Sequence, residues 1–155
     1  MGQSISSWLT TNRQLVIDLR RWLHQHPELG FEELETSKYL KKILSDKGYN
    51  IIENDSMKTG FYCDYIGDEK GSTLALRTDM DALAIDEKSN KEYKSVNKGI
   101  MHACGHDVHM SIVAALAIYF MENKVDIPGK VRFLFQPAEE KAPGGALSMI
   151  EGGAI

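Results

Sequence analysis

The sequence predicts an α/β fold with a mixed, largely parallel sheet covered by helices, and three observations carry that prediction. Residues 73–77 and 131–135 are mostly apolar runs bounded by turn residues, as strands of a covered sheet would be. Between them, residues 112–120 are apolar on every side, which supplies a buried crossover helix. Chemistry-bearing residues follow both runs, at the carboxyl ends of strands where open α/β sheets place their ligands. A chain of 155 residues, 43% hydrophobic and 26% charged, fits one globular domain with a sizeable core.

Taken in order, Ser6 or Ser7 can cap a first helix in which Leu15, Val16, Leu19, Trp22 and Leu23 recur at helical spacing. His26-Pro27-Glu28-Leu29-Gly30 interrupts it, because proline disfavours helix at the residue before it. A second helix is predicted over residues 32–47, with Leu34, Tyr39, Leu40, Ile43 and Leu44 inward and Gly48 ending it. Residues 49–53 and 61–66 read as strands, residues 67–71 as a turn and residues 73–77 as the next strand, so the last two should form a hairpin. Residues 86–98 are polar and carry four lysines, and they read as a solvated surface loop in preference to a site entrance. Turn residues at 126–130 precede the strand at 131–135. Pro143-Gly144-Gly145 ends the following loop, and residues 146–151 form a short helix stopped by Gly152-Gly153.

Composition excludes several function classes. A net charge of −4 provides no basic footprint for nucleic acid. Two cysteines, Cys63 and Cys104, cannot build a disulfide framework, which suits a reducing compartment. The longest nearly apolar run, residues 112–121, is too short to span a bilayer, and no apolar signal core opens the chain, so a cytoplasmic location without membrane partners is expected. Met1-Gly2-Gln3-Ser4-Ile5-Ser6 matches the loose myristoylation pattern, and chance accounts for so short a match.

The densest chemistry is Met101-His102-Ala103-Cys104-Gly105-His106-Asp107-Val108-His109, with three imidazoles, a thiol and a carboxylate around one glycine. Cys104 and His106 point the same way in an extended segment and can share one cation, while His109 can stand beside the site without being a ligand. A lone Cys or His is usually a packed core residue, but a cluster of this density favours ligation. Gln136-Pro137-Ala138-Glu139-Glu140 leaves the covered strand, and in a bend one glutamate can coordinate a metal while the other takes a proton from water. In Thr78-Asp79-Met80-Asp81, Asp79 can orient a histidine ligand or simply form a turn at the strand end; local sequence leaves both open.

Four motifs in order resemble the metal-dependent amidohydrolase branch of the aminoacylase and carboxypeptidase G-like metallopeptidases. That branch includes hippurate hydrolases, auxin-conjugate hydrolases and N-acetyldiaminopimelate deacetylases. The motifs are Leu23-His24 with His26-Pro27-Glu28-Leu29-Gly30-Phe31-Glu32-Glu33, Leu76-Arg77-Thr78-Asp79-Met80-Asp81-Ala82-Leu83, Met101-His102-Ala103-Cys104-Gly105-His106-Asp107, and Phe135-Gln136-Pro137-Ala138-Glu139-Glu140. The resemblance implies a zinc-exopeptidase-like catalytic domain with Cys104, His106 and Glu140 as metal ligands. It makes Glu139 the general base and Asp79 an accessory catalytic residue. Two divalent ions per complete site are implied, with zinc, manganese, cobalt and nickel all compatible with the ligand types. The implied reaction is attack of a metal-activated water on the amide of a small N-acyl amino acid, in an enzyme that is a homo-oligomer when complete. Ala84 departs from the family's usual proline, and Lys141-Ala142-Pro143 from its usual small residues. The chain stops at Ile155, before the region in which the family supplies further histidine ligands and an inserted dimerisation domain. Residues 1–155 are therefore expected to be a truncated, N-terminal portion of the catalytic domain, inactive alone. Two other functions compete: a non-catalytic module held by zinc on Cys104, His106 and Glu140, and a cysteine hydrolase in which His102 or His109 activates Cys104.

Overall fold

A computed structural model describes residues 2–68 and 71–155 of the chain. The turn expected over residues 67–71 and Met1 of the acylation pattern fall partly or wholly outside those residues. The first helical stretch is two helices, α1 (Ile5–Thr11) and α2 (Arg13–Gln25), broken at Asn12. Ser4, in place of Ser6 or Ser7, caps α1 by accepting the Ser7 N–H at 3.3 Å. The next helix, α3 (Leu34–Asp46), buries Leu40 and Leu44 completely. Leu34, expected inward, is 67% exposed. It precedes Leu40 by six residues, a rotation of about 240° around the helix, and so sits away from the buried stripe.

The strands are β1 (Ile51–Ile52), β2 (Phe61–Ile66), β3 (Thr73–Asp79) and β4 (Lys130–Gln136), in the order β1-β2-β4-β3. The predicted hairpin between β2 and β3 does not form, because β4 lies between them. β4 carries buried Val131, Phe133, Leu134 and Phe135, and this central place pairs both its edges and covers both its faces. Its register sets Phe61 against Phe135 on one side and Asp79 against Gln136 on the other. The sheet is mixed, as expected, but the parallel share is smaller: among the described strands only β3 and β4 run parallel.

The chain crosses from β3 to β4 through α4 (His106–Asn123). Leu19, Leu23, Leu40, Leu44, Met110, Ala114 and Ala117 from the helices pack with Phe61, Phe133 and Phe135 on one face of the sheet. Met57, Tyr62, Leu134 and Met149 form a smaller core on the other, where α5 (Ala146–Glu151) lies. Contrary to the expectation for residues 112–120, that part of α4 is not buried all round; Ile112 is 57% exposed. The helix is long and apolar, yet no helix among the described residues can cross a membrane.

On β2, Asp64 accepts hydrogen bonds from Arg132 at 2.8 and 2.9 Å and from Lys130 at 3.0 Å. Burial pushes its carboxyl up, but these two cations outweigh burial and hold it below the usual aspartate range. The stability it contributes is therefore present above the unfolded-state pKa and lost as pH falls through the depressed one. Asp64→Asn should cost roughly 1–2 kcal/mol at neutral pH. It should also flatten the acid limb of the thermal-unfolding profile; an unchanged limb would show that the pair is not linked to folding.

Candidate metal and catalytic site

Asp79 and Gln136 end neighbouring parallel strands, so the segments that follow them emerge side by side. Beyond β3 the chain stays pinned: Ala82 donates to the Glu28 carbonyl at 2.8 Å, and Leu83 and Met101 exchange backbone bonds of 3.1 and 3.0 Å. That exchange lays residues 101–106 beside Asp81. Gly105 then opens α4 with φ of 97°. A Cβ there would meet nothing within 4 Å, so backbone conformation, not space, calls for glycine.

The structure brings Cys104, His106 and Glu140 together, with one donor atom from each lying within 4.8 Å of the others. Nδ1 of His106 donates to the Asp81 carbonyl at 2.9 Å, so the neutral ring, the form that ligates a metal, carries its lone pair on Nε2. Nε2 stands 4.0 Å from Oε2 of Glu139. Both glutamates are exposed, within reach of a ligand from solvent, whereas His106 is buried. The chain enters them through Ala138, a buried non-glycine residue with φ of 47°, a conformation that costs about 1–2 kcal/mol. Two buried carboxylates hold this bend. Asp81 accepts the Glu140 N–H at 2.8 Å, and Glu33 accepts the Ala138 N–H at 2.8 Å.

Asp81 links the two halves of the site. Its Oδ1 lies 3.4 Å from Nδ1 of His106, and its carbonyl also receives the Cys104 thiol at 3.9 Å. Burial raises the Asp81 carboxyl, but His106 and the Glu140 and Glu139 N–H groups bring it below the usual range. Burial opposes the His106 imidazolium, yet Asp81 and Cys104 overcome it and push that pKa up. The Glu33 carboxyl behaves oppositely to Asp81: burial pushes it up, with Thr59 and Ala138 opposing.

These contacts correct the place expected for Asp79. Its carboxylate receives the Arg77 guanidinium at 2.9 and 3.1 Å and touches no histidine. Asp79 is still in the ladder opposite Gln136, and the chain turns toward His106 only after leaving the sheet, so Asp81 makes the contact. His109 is exposed on α4, its ring 6.0 Å from that of His106. His102 is buried with both ring nitrogens unpartnered, and burial pushes it down to about 4, so it is uncharged near neutrality. Neither of them bonds to Cys104; the imidazole beside its sulfur is that of His106.

Local sequence also missed a buried cluster behind α4. His24 Nδ1 lies 2.7 Å from Asp107 Oδ2, Arg20 Nε lies 2.9 Å from the same oxygen, and His24 Nε2 lies 3.3 Å from Glu87. Glu87 is 6% exposed, so the loop over residues 86–98 is not merely solvated; it anchors the helix turn that carries His106. The polar composition of that loop concealed this role, because nothing local marks which acid will be buried.

Residues 75–155 match the sequence model of peptidase family M20/M25/M40. The chain belongs to that family. Among curated relatives, the N-acetyl-L-cysteine deacetylase of Bacillus subtilis (strain 168) is 47% identical over 95% of this chain. The N-acyl-L-amino acid amidohydrolase of Geobacillus stearothermophilus is 43% identical over 90% of it. This chain spans 35% and 38% of the lengths of those two relatives. A crystal structure of a Bacillus subtilis protein described as a dinuclear metal binding peptidase from the M20 family superposes with a TM-score of 0.87. It is 39% identical, and the match covers 94% of this chain and 40% of that one. The M20 relationship agrees with the motif resemblance and with the mixed α/β class.

Proposed function

We propose that this chain carries ligands and base of a metal-dependent amidohydrolase that cleaves the linear amide of N-acyl amino acids. Cys104, His106 and Glu140 would hold the metal, and Glu139 would be the general base. The observation that carries this reading is the convergence of those three donors from two distant segments, with Glu139 beside them. The relatives' names, a deacetylase and an amidohydrolase, support the reaction class. Thiol, imidazole and carboxylate suit zinc and also admit manganese, cobalt or nickel. The Asp81 carbonyl on Nδ1 of His106 is the kind of contact that orients an imidazole ligand.

A bound divalent ion would act there as a Lewis acid on the amide carbonyl and make water more acidic. Glu139 would accept the proton from the attacking water and deliver it to the departing amine, releasing a carboxylic acid and an amino acid. Asp81 keeps Nδ1 of His106 engaged and anchors the Glu140 backbone while this happens. We further take residues 1–155 as an N-terminal portion of the catalytic domain of a cytoplasmic homo-oligomer, with a second ion and its ligands supplied by a longer chain. Three donors suffice for one ion and not for two bridged ions. A closed structural zinc site is less well supported, since such sites use four ligands rich in cysteine.

Two measurements test the proposal. Zinc should slow alkylation of Cys104, and Cys63 will not confuse the readout, because it is fully buried with its thiol pushed up to about 12. In a chain extended to the relatives' length, chelation should abolish turnover of N-acetyl-L-cysteine and added metal should restore it. Alkylation indifferent to metal, or turnover indifferent to chelator, would sink the reading.

A further inference from the structure

Glu33 is fully buried at the start of α3, far in sequence from the proposed site, and makes no ion pair among the described residues. Its two oxygens serve separate partners: one accepts the Ala138 N–H at 2.8 Å, the other the Thr59 hydroxyl. The Phe31 N–H also favours the charged carboxylate. Phe31 and Ala138 are two of the few non-glycine residues with positive φ, at 66° and 47°. The second of these, Ala138, gives its N–H to the Glu33 carboxylate. Ala138 is enclosed on its other sides as well, with its carbonyl accepting the Gly145 N–H at 2.9 Å. A Cβ on Gly30 would come within 3.0 Å of it.

We propose that Glu33 is a positioning residue for the base Glu139, holding the Ala138 N–H and with it the left-handed bend from which Glu139 leaves. This rests on the catalytic reading above. The Glu140 N–H has an anchor of its own in Asp81, whereas Ala138, which leads directly into Glu139, is held by Glu33; neither glutamate's carboxylate accepts a hydrogen bond from a side chain among the described residues. Loss of Glu33 therefore displaces the base more than the ligand. Misplacing a catalytic group by about 1 Å can cost on the order of a hundredfold in rate.

The test uses the metal-loaded protein, extended to the relatives' length, with N-acetyl-L-cysteine. Glu33→Met should lower kcat by roughly ten- to a hundredfold, with KM within about threefold of the parent and metal content unchanged. Glu33→Gln should rescue most of the loss, because its carboxamide oxygen can still accept the Ala138 N–H. Should Glu33→Met fail to fold, Glu33→Asp carries the test: it keeps the charge but falls one methylene short, and the same kcat-specific loss is expected. Hydrogen–deuterium exchange over residues 136–145 reads the bend without turnover and should quicken in the Met or Asp variant but not in Gln. Parent-like kcat in a folded Met or Asp variant, or parent-like exchange there, overturns the proposal. An inactive parent whose exchange responds as expected would instead indict the catalytic reading and leave Glu33 as the holder of the bend.

Discussion

Glu139→Gln should lower hydrolysis of N-acyl amino acids by a factor of roughly a hundred to ten thousand while leaving metal content unchanged. The carboxamide fills the same volume and cannot accept the proton, and Glu139 is not among the three donors that converge. Glu140→Gln reverses the pattern. It removes a charged donor from the Cys104 and His106 pair, so metal affinity should fall first and turnover should return at high metal concentration. Metal analysis and turnover measured on both variants separate the two roles. Retained activity in Glu139→Gln, or undiminished affinity in Glu140→Gln, would show that the roles of the adjacent glutamates have been exchanged or misassigned.

Asp81→Ala should weaken metal binding by about ten- to a hundredfold, the usual effect of removing a group that orients a ligand. It should also destabilise the fold by roughly 1–3 kcal/mol, because the Glu140 N–H loses its acceptor. Asp81 is fully buried, and its truncation removes the acceptor of the Glu140 N–H and the carboxylate oxygen 3.4 Å from Nδ1 of His106, while the backbone carbonyl that accepts from Nδ1 remains. Asp79→Ala is the control. It breaks only a pair with a half-exposed arginine and should leave metal affinity near that of the parent. Zinc titration and thermal unfolding of both variants decide the matter; equal losses in the two would deny Asp81 its special place.

Much of this chain could be read locally. The bounds of β2 and α5 match their patterns, and β4 extends its predicted core by one residue at each end. Errors arose where one element had to be chosen against another: the helix broken at Asn12, the outward Leu34, and β4 inserted between β2 and β3. For the strands the pattern was sound, whereas Leu34 lies about 240° around α3 from Leu40 and off its buried stripe. Which face or edge found a partner depended on residues far away in sequence.

The same division holds at the site. Sequence by itself determined the donor types and their grouping, because Cys104 and His106 are two residues apart and Glu139 and Glu140 adjacent, and such local spacing survives any tertiary arrangement. It also determined the family, through four motifs that residues 75–155 largely contain. Only the tertiary structure decided that Asp81, not Asp79, backs His106, that Glu33 reaches across from α3 to hold Ala138, and that Glu87 of a polar loop is buried against His24. The reason is desolvation. A carboxylate becomes a structural anchor when its surroundings remove water and supply N–H donors in its place, and those surroundings are assembled from segments that only folding brings together.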